Sequence, residues 1–201
     1  MSEENDEKLR AAGFKAAQFV RSDVSGPDGV VLEAQHRYED LELIAEVLRH
    51  LKPRAMMELG TAGGGFALFA AVVLAEWHGR VVTIDKAPLS EAAGAAFVKQ
   101  GNIVFWHREI LTRRADDDWM RGQQIDLVYC DDGDKERELD LYARPDVRVI
   151  GCHDYGTEVR PEWAEALMRE RGFRPLWHER FEALAHPEFY PMSLTRFWER
   201  A

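Results

Sequence analysis

A glycine-rich turn between a short apolar run and a strongly apolar helix constrains the fold of this chain more than any other feature. The apolar run covers residues 55–59, four glycines fall within residues 60–65, and residues 66–77 are apolar on nearly every side. A helix without a polar face must be buried, and a short apolar run before it is typical of an internal strand. This segment therefore predicts a strand, a glycine turn and a helix that packs on a sheet.

The same alternation of strands and helices continues along the chain. Further strands are predicted at residues 81–85, 103–107, 125–130 and 147–152. Helices are predicted at residues 38–51, 90–100, 136–142 and 162–171, the second of them with Ser90 as its N-cap. Apolar runs at 173–184 and 193–198 predict an antiparallel pair. The predicted fold class is α/β, a doubly wound and mostly parallel sheet with an antiparallel C-terminal edge strand.

The first 29 residues differ from the rest of the chain. Residues 1–8 are acidic and polar, as in a frayed tail, and residues 9–20 have apolar positions compatible with a short amphipathic helix. A break then follows at Ser25-Gly26-Pro27-Asp28-Gly29. We therefore predict a tail and appendage at 1–29 and one domain at 30–201, since 201 residues leave little room for a second core.

The charge of the chain limits its partners. The sequence has 26 basic and 36 acidic residues, a net charge of −10, which disfavours binding to nucleic acid and to anionic membranes. No signal-peptide pattern opens the sequence, and the two cysteines, Cys130 and Cys152, are predicted to be buried free thiols. We expect a cytoplasmic protein that acts on a small molecule, and a homo-oligomer stays open.

The glycine turn predicts either a ligand site or a tight packing turn. Its spacing is G-x-x-G-G-G from Gly60, which does not match the G-x-G-x-x-G pattern of NAD-binding turns. Asp85 ends the next predicted strand, where a carboxylate can accept hydrogen bonds from both hydroxyls of a ribose, although it could also be a solvated turn residue. Glu109 follows the third strand, at the matching place for an adenine amino group or for an ordinary surface acid.

Acidic residues gather after the fourth and fifth predicted strands of this series. Asp131, Asp132 and Asp134 follow one strand, and His153-Asp154 follows the other. Neighbouring parallel strands end at the same edge of a sheet, so these groups can converge around Mg²⁺ or Mn²⁺. The alternative is an acidic cap on the charged helix from Glu136, where carboxylates favour the positive end of the helix dipole.

Two stretches of the sequence resemble class I S-adenosylmethionine-dependent methyltransferases. Residues 58–65, ELGTAGGG, are similar to motif I of that superfamily, and residues 82–85, VTID, to its acidic second-strand motif. Residues 38–61 are similar to the cephalosporin hydroxylase-like and macrolide sugar O-methyltransferase branch, which is related to catechol O-methyltransferases. The resemblance implies a Rossmann-like methyltransferase domain over 30–201. It also implies that S-adenosylmethionine is bound by Glu58, Gly60, Thr61, Gly63, Gly64, Asp85, Glu109 and Asp131.

The resemblance also implies roles in a metal-assisted transfer to a hydroxyl. Asp132-Gly133-Asp134-Lys135 matches the spacing of a metal ligand, Asp132, and a base, Lys135. His153 and Asp154 stand where the family has a second pair of acidic metal ligands, and the histidine departs from that pattern. A neutral imidazole favours Mn²⁺ or another transition metal over Mg²⁺, or no metal at all.

Two other functions stay open from the sequence. Lys135 lies among acidic residues, which raise the pKa of a lysine and make it a poorer base, so it could be a surface salt-bridge residue instead. With the departure at His153, this motivates a non-catalytic S-adenosylmethionine-binding or regulatory protein. The third hypothesis is an NAD-binding oxidoreductase, and the glycine spacing disfavours it.

Overall fold

The computed structural model describes residues 14–15, 22–25, 31–109, 115–184 and 195–201. Ten strands lie in this part of the chain: β1 (Phe14–Lys15), β2 (Ser22–Ser25), β3 (Val31–Ala34), β4 (Ala55–Leu59), β5 (Arg80–Asp85), β6 (Ile103–His107), β7 (Leu127–Cys130), β8 (Val149–Cys152), β9 (Phe173–Leu176) and β10 (Arg196–Arg200). Its helices are α1 (Tyr38–Leu51), α2 (Gly65–Ala75), α3 (Glu91–Gln100), α4 (Ala115–Gly122), α5 (Lys135–Tyr142), α6 (Pro161–Glu170) and α7 (His178–Glu182).

Seven strands form the central sheet in the order β6-β5-β4-β7-β8-β10-β9. The first five are parallel, and every residue of β4, β7 and β8 is buried. Leu59 pairs with Cys130, and Cys130 pairs with Cys152, so these three strands end in register. The residues that follow them therefore meet at one edge of the sheet, which is where ligands bind in this architecture.

Helices cover both faces of the sheet. One face buries α1, α2, α3 and α7, with Leu48, Phe69, Phe97 and Phe181 in its core. The other face buries α4, α5 and α6 through Met120, Leu139 and Met168. Nine of the eleven residues of α2 are buried, as its sequence predicts, because the helix lies between the sheet and its neighbours. The doubly wound α/β fold is confirmed.

The predicted antiparallel pair is also confirmed, with one refinement. β10 pairs antiparallel with both β8 and β9, so it lies between them and β9 forms the edge. Pro175 lies in β9, and an edge strand is where a sheet tolerates proline. The run predicted as a strand to residue 184 turns into α7 at His178, and residues 185–194 lie outside the described residues.

The described N-terminal strands form a separate three-stranded antiparallel sheet in the order β1-β2-β3. The helix predicted over residues 9–20 is wrong at Phe14–Lys15, because these residues pair with β2. The rest of that helix and the predicted tail at 1–8 lie outside the described residues. Cys130 and Cys152 are free and buried, as predicted. Within the described segments, every helix is too short or too polar to cross a bilayer.

Candidate functional site

The glycine turn begins where β4 ends, between the ends of β5 and β7. The Gly60 amide donates a 2.9 Å hydrogen bond to the Ile84 carbonyl. Gly60 has φ +90°, and a Cβ there would lie 2.5 Å from the Asp131 carbonyl oxygen. Position 60 therefore requires glycine for two reasons, a left-handed backbone and a close neighbouring strand.

Asp85 binds the turn from the end of β5. One carboxylate oxygen accepts hydrogen bonds from the amides of Thr61 at 2.9 Å and Ala62 at 3.0 Å, and the other accepts from Ala87 at 2.8 Å. The Thr61 hydroxyl lies 2.6 Å from that of Thr83. Asp85 thus links the end of β5 to the backbone of the glycine turn, the two segments that the sequence predicts to bind the cofactor. Its role toward a ribose stays a prediction.

The remaining glycines of the turn pack against protein. A Cβ at Gly65 would lie 2.4 Å from the backbone of Glu33, and one at Gly63 would lie 3.2 Å from the Glu33 carbonyl. Gly64, with φ +82°, would meet the ring of Phe97 at 3.0 Å. These positions are glycine because β3 and α3 come close to the start of α2, which supports the packing interpretation for this half of the turn.

Glu58 is a buried carboxylate one residue before the end of β4. Its side chain bonds to Thr83, yet among the described residues its Oε2 atom has no hydrogen-bond partner. Burial raises the pKa of Glu58 well above the usual range of a carboxyl group, and Asp131 and Asp85 raise it further. A buried carboxyl group with one oxygen that has no partner among the described residues, beside a glycine turn, suits a cationic ligand. The sulfonium and ammonium groups of S-adenosylmethionine fit this requirement.

Glu109 lies two residues beyond β6, at the same edge of the sheet but exposed to solvent. The register of β5 and β6 pairs Asp85 with His107. Asp85 and Glu109 therefore lie at the ends of adjacent strands, as the sequence predicts. An adenine contact from Glu109 stays a prediction.

Asp131 and His153 follow β7 and β8 and meet side by side. The Oδ1 atom of Asp131 lies 3.3 Å from Nδ1 of His153, and both side chains are largely buried. Burial opposes the charge on His153, but the hydrogen bond and the charge of Asp131 outweigh that effect and raise its pKa. Asp131, predicted to contact the cofactor, is thus also an imidazole partner.

His36 completes this group and was missed by the sequence analysis. It lies between β3 and α1, 1% exposed, with Nε2 at 2.9 Å from the Tyr129 hydroxyl and 3.9 Å from Oδ2 of Asp131. Its ring stacks on those of Phe66 at 4.4 Å and His153 at 4.2 Å. Burial lowers the pKa of His36 well below its usual value, and His153 and Lys135 lower it further. No spacing in the sequence links His36 to β7 or β8.

We call His36, Asp131 and His153 the acid–imidazole cluster. One ligand atom from each lies within 4.8 Å of the others, and in the part of the chain that the structure describes this is the one group of three that meets that criterion. The predicted metal set of Asp132, His153 and Asp154 is not brought together in this way. Only His153 belongs to both groups.

Lys135 is the first residue of α5, and its ammonium is surrounded by carboxylates. Nζ lies 2.6 Å from Glu158, 3.0 Å from Asp154 and 4.0 Å from Asp131. Burial opposes the charge of Lys135, yet these carboxylates outweigh it and raise the pKa above the usual value. Lys135 therefore lies at the edge of the candidate site and holds its proton. Asp154, one of the predicted metal ligands, forms a salt bridge with Lys135 in the structure.

The other acids after β7 form hydrogen bonds with residues of α5. Asp134 is the N-cap of this helix and accepts a hydrogen bond from the Arg137 amide at 3.2 Å, so the acidic-cap interpretation is right for that residue. Asp132 is half-buried, and its amide donates to the carboxylate of Glu138. Burial, with the charge of Asp132 as a second cause, raises the pKa of Glu138 to about 8.

Comparisons with known proteins support the fold. No protein-family model and no curated protein matches the sequence. Cofactor-bound Rv0187 from MTB is a similar solved structure, with a TM-score of 0.55 and 15% identity over 98% of this chain and 87% of its own. PH1948 from Pyrococcus horikoshii, described as a candidate RNA methyltransferase, gives a TM-score of 0.55 and 12% identity over 100% and 98%.

A Klebsiella pneumoniae protein described as a candidate O-methyltransferase gives a TM-score of 0.50 and 12% identity over 100% of this chain and 91% of its own. At these identities the similarity concerns the fold. The strand order, with β10 inserted antiparallel between β8 and β9, agrees with it. This chain therefore has the Rossmann-like methyltransferase fold.

Proposed function

We propose that this protein is an S-adenosylmethionine-dependent methyltransferase that methylates a hydroxyl group of a small molecule. The observation that carries the proposal is Glu58, a buried carboxylate with no partner for Oε2 among the described residues, beside a glycine turn closed by Asp85. A cation completes this arrangement, and the cofactor is a cation at both its sulfonium and its ammonium group. The methyltransferase fold supports the same cofactor.

Each predicted cofactor residue then has a chemical task. Glu58 compensates the positive charge, and Asp85 accepts a hydrogen bond from a ribose hydroxyl through the one lone pair that its three amide donors leave unused. Glu109 contacts the adenine. The backbone of Gly60, Thr61, Gly63 and Gly64 lines the cofactor, and Asp131 separates it from the acceptor. Alignment of the sulfonium methyl with the acceptor oxygen supplies much of the rate enhancement.

A small-molecule acceptor agrees with the charge of the chain. A net charge of −10 repels a phosphate backbone, which disfavours RNA as the acceptor. The likeness to a candidate O-methyltransferase supports a hydroxyl acceptor, and the likeness to a candidate RNA methyltransferase makes RNA the competing substrate to test. Transfer releases one proton from the hydroxyl, so the site needs a group or an ion that favours the alkoxide.

Lys135 is the base that the sequence predicts. Its ammonium must lose a proton before it can accept one, and the carboxylates of Asp154 and Glu158 oppose that loss. A divalent metal, when bound, lowers the pKa of a hydroxyl that it contacts and reduces the demand on a base. Lys135 as a paired cation also favours our second candidate function, a non-catalytic S-adenosylmethionine-binding or regulatory protein.

Calorimetry with S-adenosylmethionine and with NAD, each with and without EDTA, tests the cofactor. Methyl release is then measured over a panel of catechols, sugars, hydroxylated antibiotics and a structured RNA. We expect binding of S-adenosylmethionine alone and turnover with a small hydroxylated compound. Binding without turnover on the whole panel would favour the regulatory protein, turnover on RNA would overturn the acceptor class, and binding of NAD instead would overturn the proposal.

A further inference from the structure

The acid–imidazole cluster brings together three metal-binding groups from distant parts of the chain. His36 precedes α1, Asp131 follows β7 and His153 follows β8, and one ligand atom of each lies within 4.8 Å of the others. All three side chains are at least 85% shielded from solvent, since the exposed fractions are 0% for His36, 15% for Asp131 and 7% for His153. Two imidazoles and a carboxylate form a donor set for a metal, which binds the imidazoles in their neutral form and so releases a proton from His153 when it is protonated.

The contacts within the cluster are loose. The separation of His153 from Asp131 is 3.3 Å and that of His36 from Asp131 is 3.9 Å, whereas charge-assisted hydrogen bonds are usually about 2.7–2.9 Å long. Ligand atoms of one metal ion lie farther apart than hydrogen-bonded atoms, because each is about 2.0–2.2 Å from the ion. The spacing therefore allows one ion between these atoms, and the ion would replace the contact of His153 with Asp131 and the 2.9 Å hydrogen bond between Nε2 of His36 and the Tyr129 hydroxyl.

The charges around the cluster favour a cation. The carboxylates of Asp131, Asp154 and Glu158 surround the single ammonium of Lys135. The carboxylates outnumber the ammonium, so the charge of these groups is negative and favours a cation. Lys135 pairs closely with Asp154 and Glu158, and its distance of 4.0 Å from Asp131 leaves that carboxylate available.

We propose that His36, Asp131 and His153 bind a divalent first-row transition metal such as Zn²⁺, Mn²⁺ or Fe²⁺. Two imidazoles and one carboxylate suit these ions, whereas Mg²⁺ prefers an all-oxygen shell. The site differs from the predicted Asp132, His153 and Asp154 in two of its three ligands. Its catalytic use rests on the proposed function, because Asp131 lies against Gly60 of the cofactor turn, but metal binding itself does not.

Direct titration of the metal-free protein with Co²⁺ tests the assignment without any activity measurement. We expect one Co²⁺ per chain, seen as visible absorption, displaced by Zn²⁺ and unaffected by an equal concentration of Mg²⁺. His36→Gln and His153→Gln should each weaken binding by at least about a hundredfold. Thermal melting of the metal-free variants checks that they fold. Because the two histidines lie in different parts of the fold, one variant still tests the assignment if the other does not fold.

Asp132→Asn is the matched control, since Asp132 belongs to the predicted set and not to the cluster. We expect it to bind Co²⁺ like the unmodified protein. Loss of binding in Asp132→Asn with retention in His36→Gln would overturn the proposal in favour of the predicted set. Retention in both histidine variants would overturn it as well.

Calorimetry with S-adenosylmethionine on the same samples separates this proposal from the proposed function. Cofactor binding without a Co²⁺ site would overturn the metal assignment and leave the methyltransferase standing. A Co²⁺ site that needs His36 and His153 in a protein that binds no S-adenosylmethionine would support the metal assignment and overturn the proposed function.

Discussion

The glycine turn after β4 and the acid–imidazole cluster after β7 and β8 lie at the same edge of the sheet but are organised differently. In the turn, the carboxylate of Asp85 is satisfied by three backbone amides that lie close to it in the fold. In the cluster, His36, Asp131 and His153 depend on one another's side chains. The turn is shaped by backbone conformation, whereas the cluster is shaped by the charges and hydrogen bonds of its side chains.

The largest effect is expected from Gly60→Ala, which tests whether the turn depends on backbone geometry. A left-handed φ and a Cβ at 2.5 Å from the Asp131 carbonyl should together lower the free energy of unfolding by about 3 kcal/mol, measured by urea denaturation. Gly122→Ala is the control, because a Cβ there meets nothing within 4 Å. Equal stability of the two variants would show that the turn tolerates a side chain.

Lys135→Ala tests the acid–imidazole cluster and the carboxylates beside it. We expect methyl transfer at least about tenfold slower with unchanged affinity for S-adenosylmethionine, since Lys135 contacts the cluster and not the turn. Arg137→Ala, an exposed position on the same helix, should leave turnover unchanged.

Lys135→Arg then separates the two roles of Lys135. An arginine keeps the positive charge but does not accept a proton near neutral pH. Turnover as slow as in Lys135→Ala agrees with the predicted base. Restored turnover would make Lys135 a positioning residue, and unchanged turnover in Lys135→Ala would remove it from the mechanism.

Glu58 should make cofactor binding depend on pH. Burial raises the pKa of Glu58 in the free protein, and a bound cation favours the ionised form, so binding releases a proton. The affinity for S-adenosylmethionine should therefore rise with pH above the ordinary carboxyl range until the free carboxyl group is ionised. Calorimetry in two buffers of different ionisation enthalpy measures the proton release.

Glu58→Gln is the control for that measurement. It should bind the cofactor about tenfold more weakly at high pH and lose the pH dependence that Glu58 contributes. Titration of the cofactor's own ammonium affects both proteins equally, so the difference between them isolates Glu58. An identical pH profile in the variant would show that Glu58 does not contact the cationic part of the cofactor.

The smallest effect is expected from Glu138→Gln, beside the acids that follow β7. The pKa of Glu138 is raised from 4.5 to about 8 in the folded protein, so the folded protein loses stability as pH rises from about 4.5 to about 8, and the loss levels off above that. The variant should gain at least about 1 kcal/mol over the unmodified protein between about pH 5 and about pH 9. A constant difference across that range, measured by urea denaturation, would contradict the shift.

Much of the fold could be predicted because its signals are local. The bounds of α1, β4 and β6 agree with the predicted ones, and Ser90 is the N-cap of α3, accepting from the Ala93 amide. The misses are at segments with weak local patterns. Helix α4 was not predicted, and β1 replaces part of a predicted helix because pairing with β2 satisfies its backbone.

The sequence by itself determined the strand–turn–helix units and the strand-end acids, since hydrophobic periodicity and glycine act over a few neighbouring residues. Only the tertiary structure placed His36 against Asp131 and His153, and Glu158 against Lys135. It also gave Gly63 and Gly65 their packing partner, β3. Side-chain charges pair through space, and their partners are set by how helices and loops cross the sheet, which no spacing along the chain records.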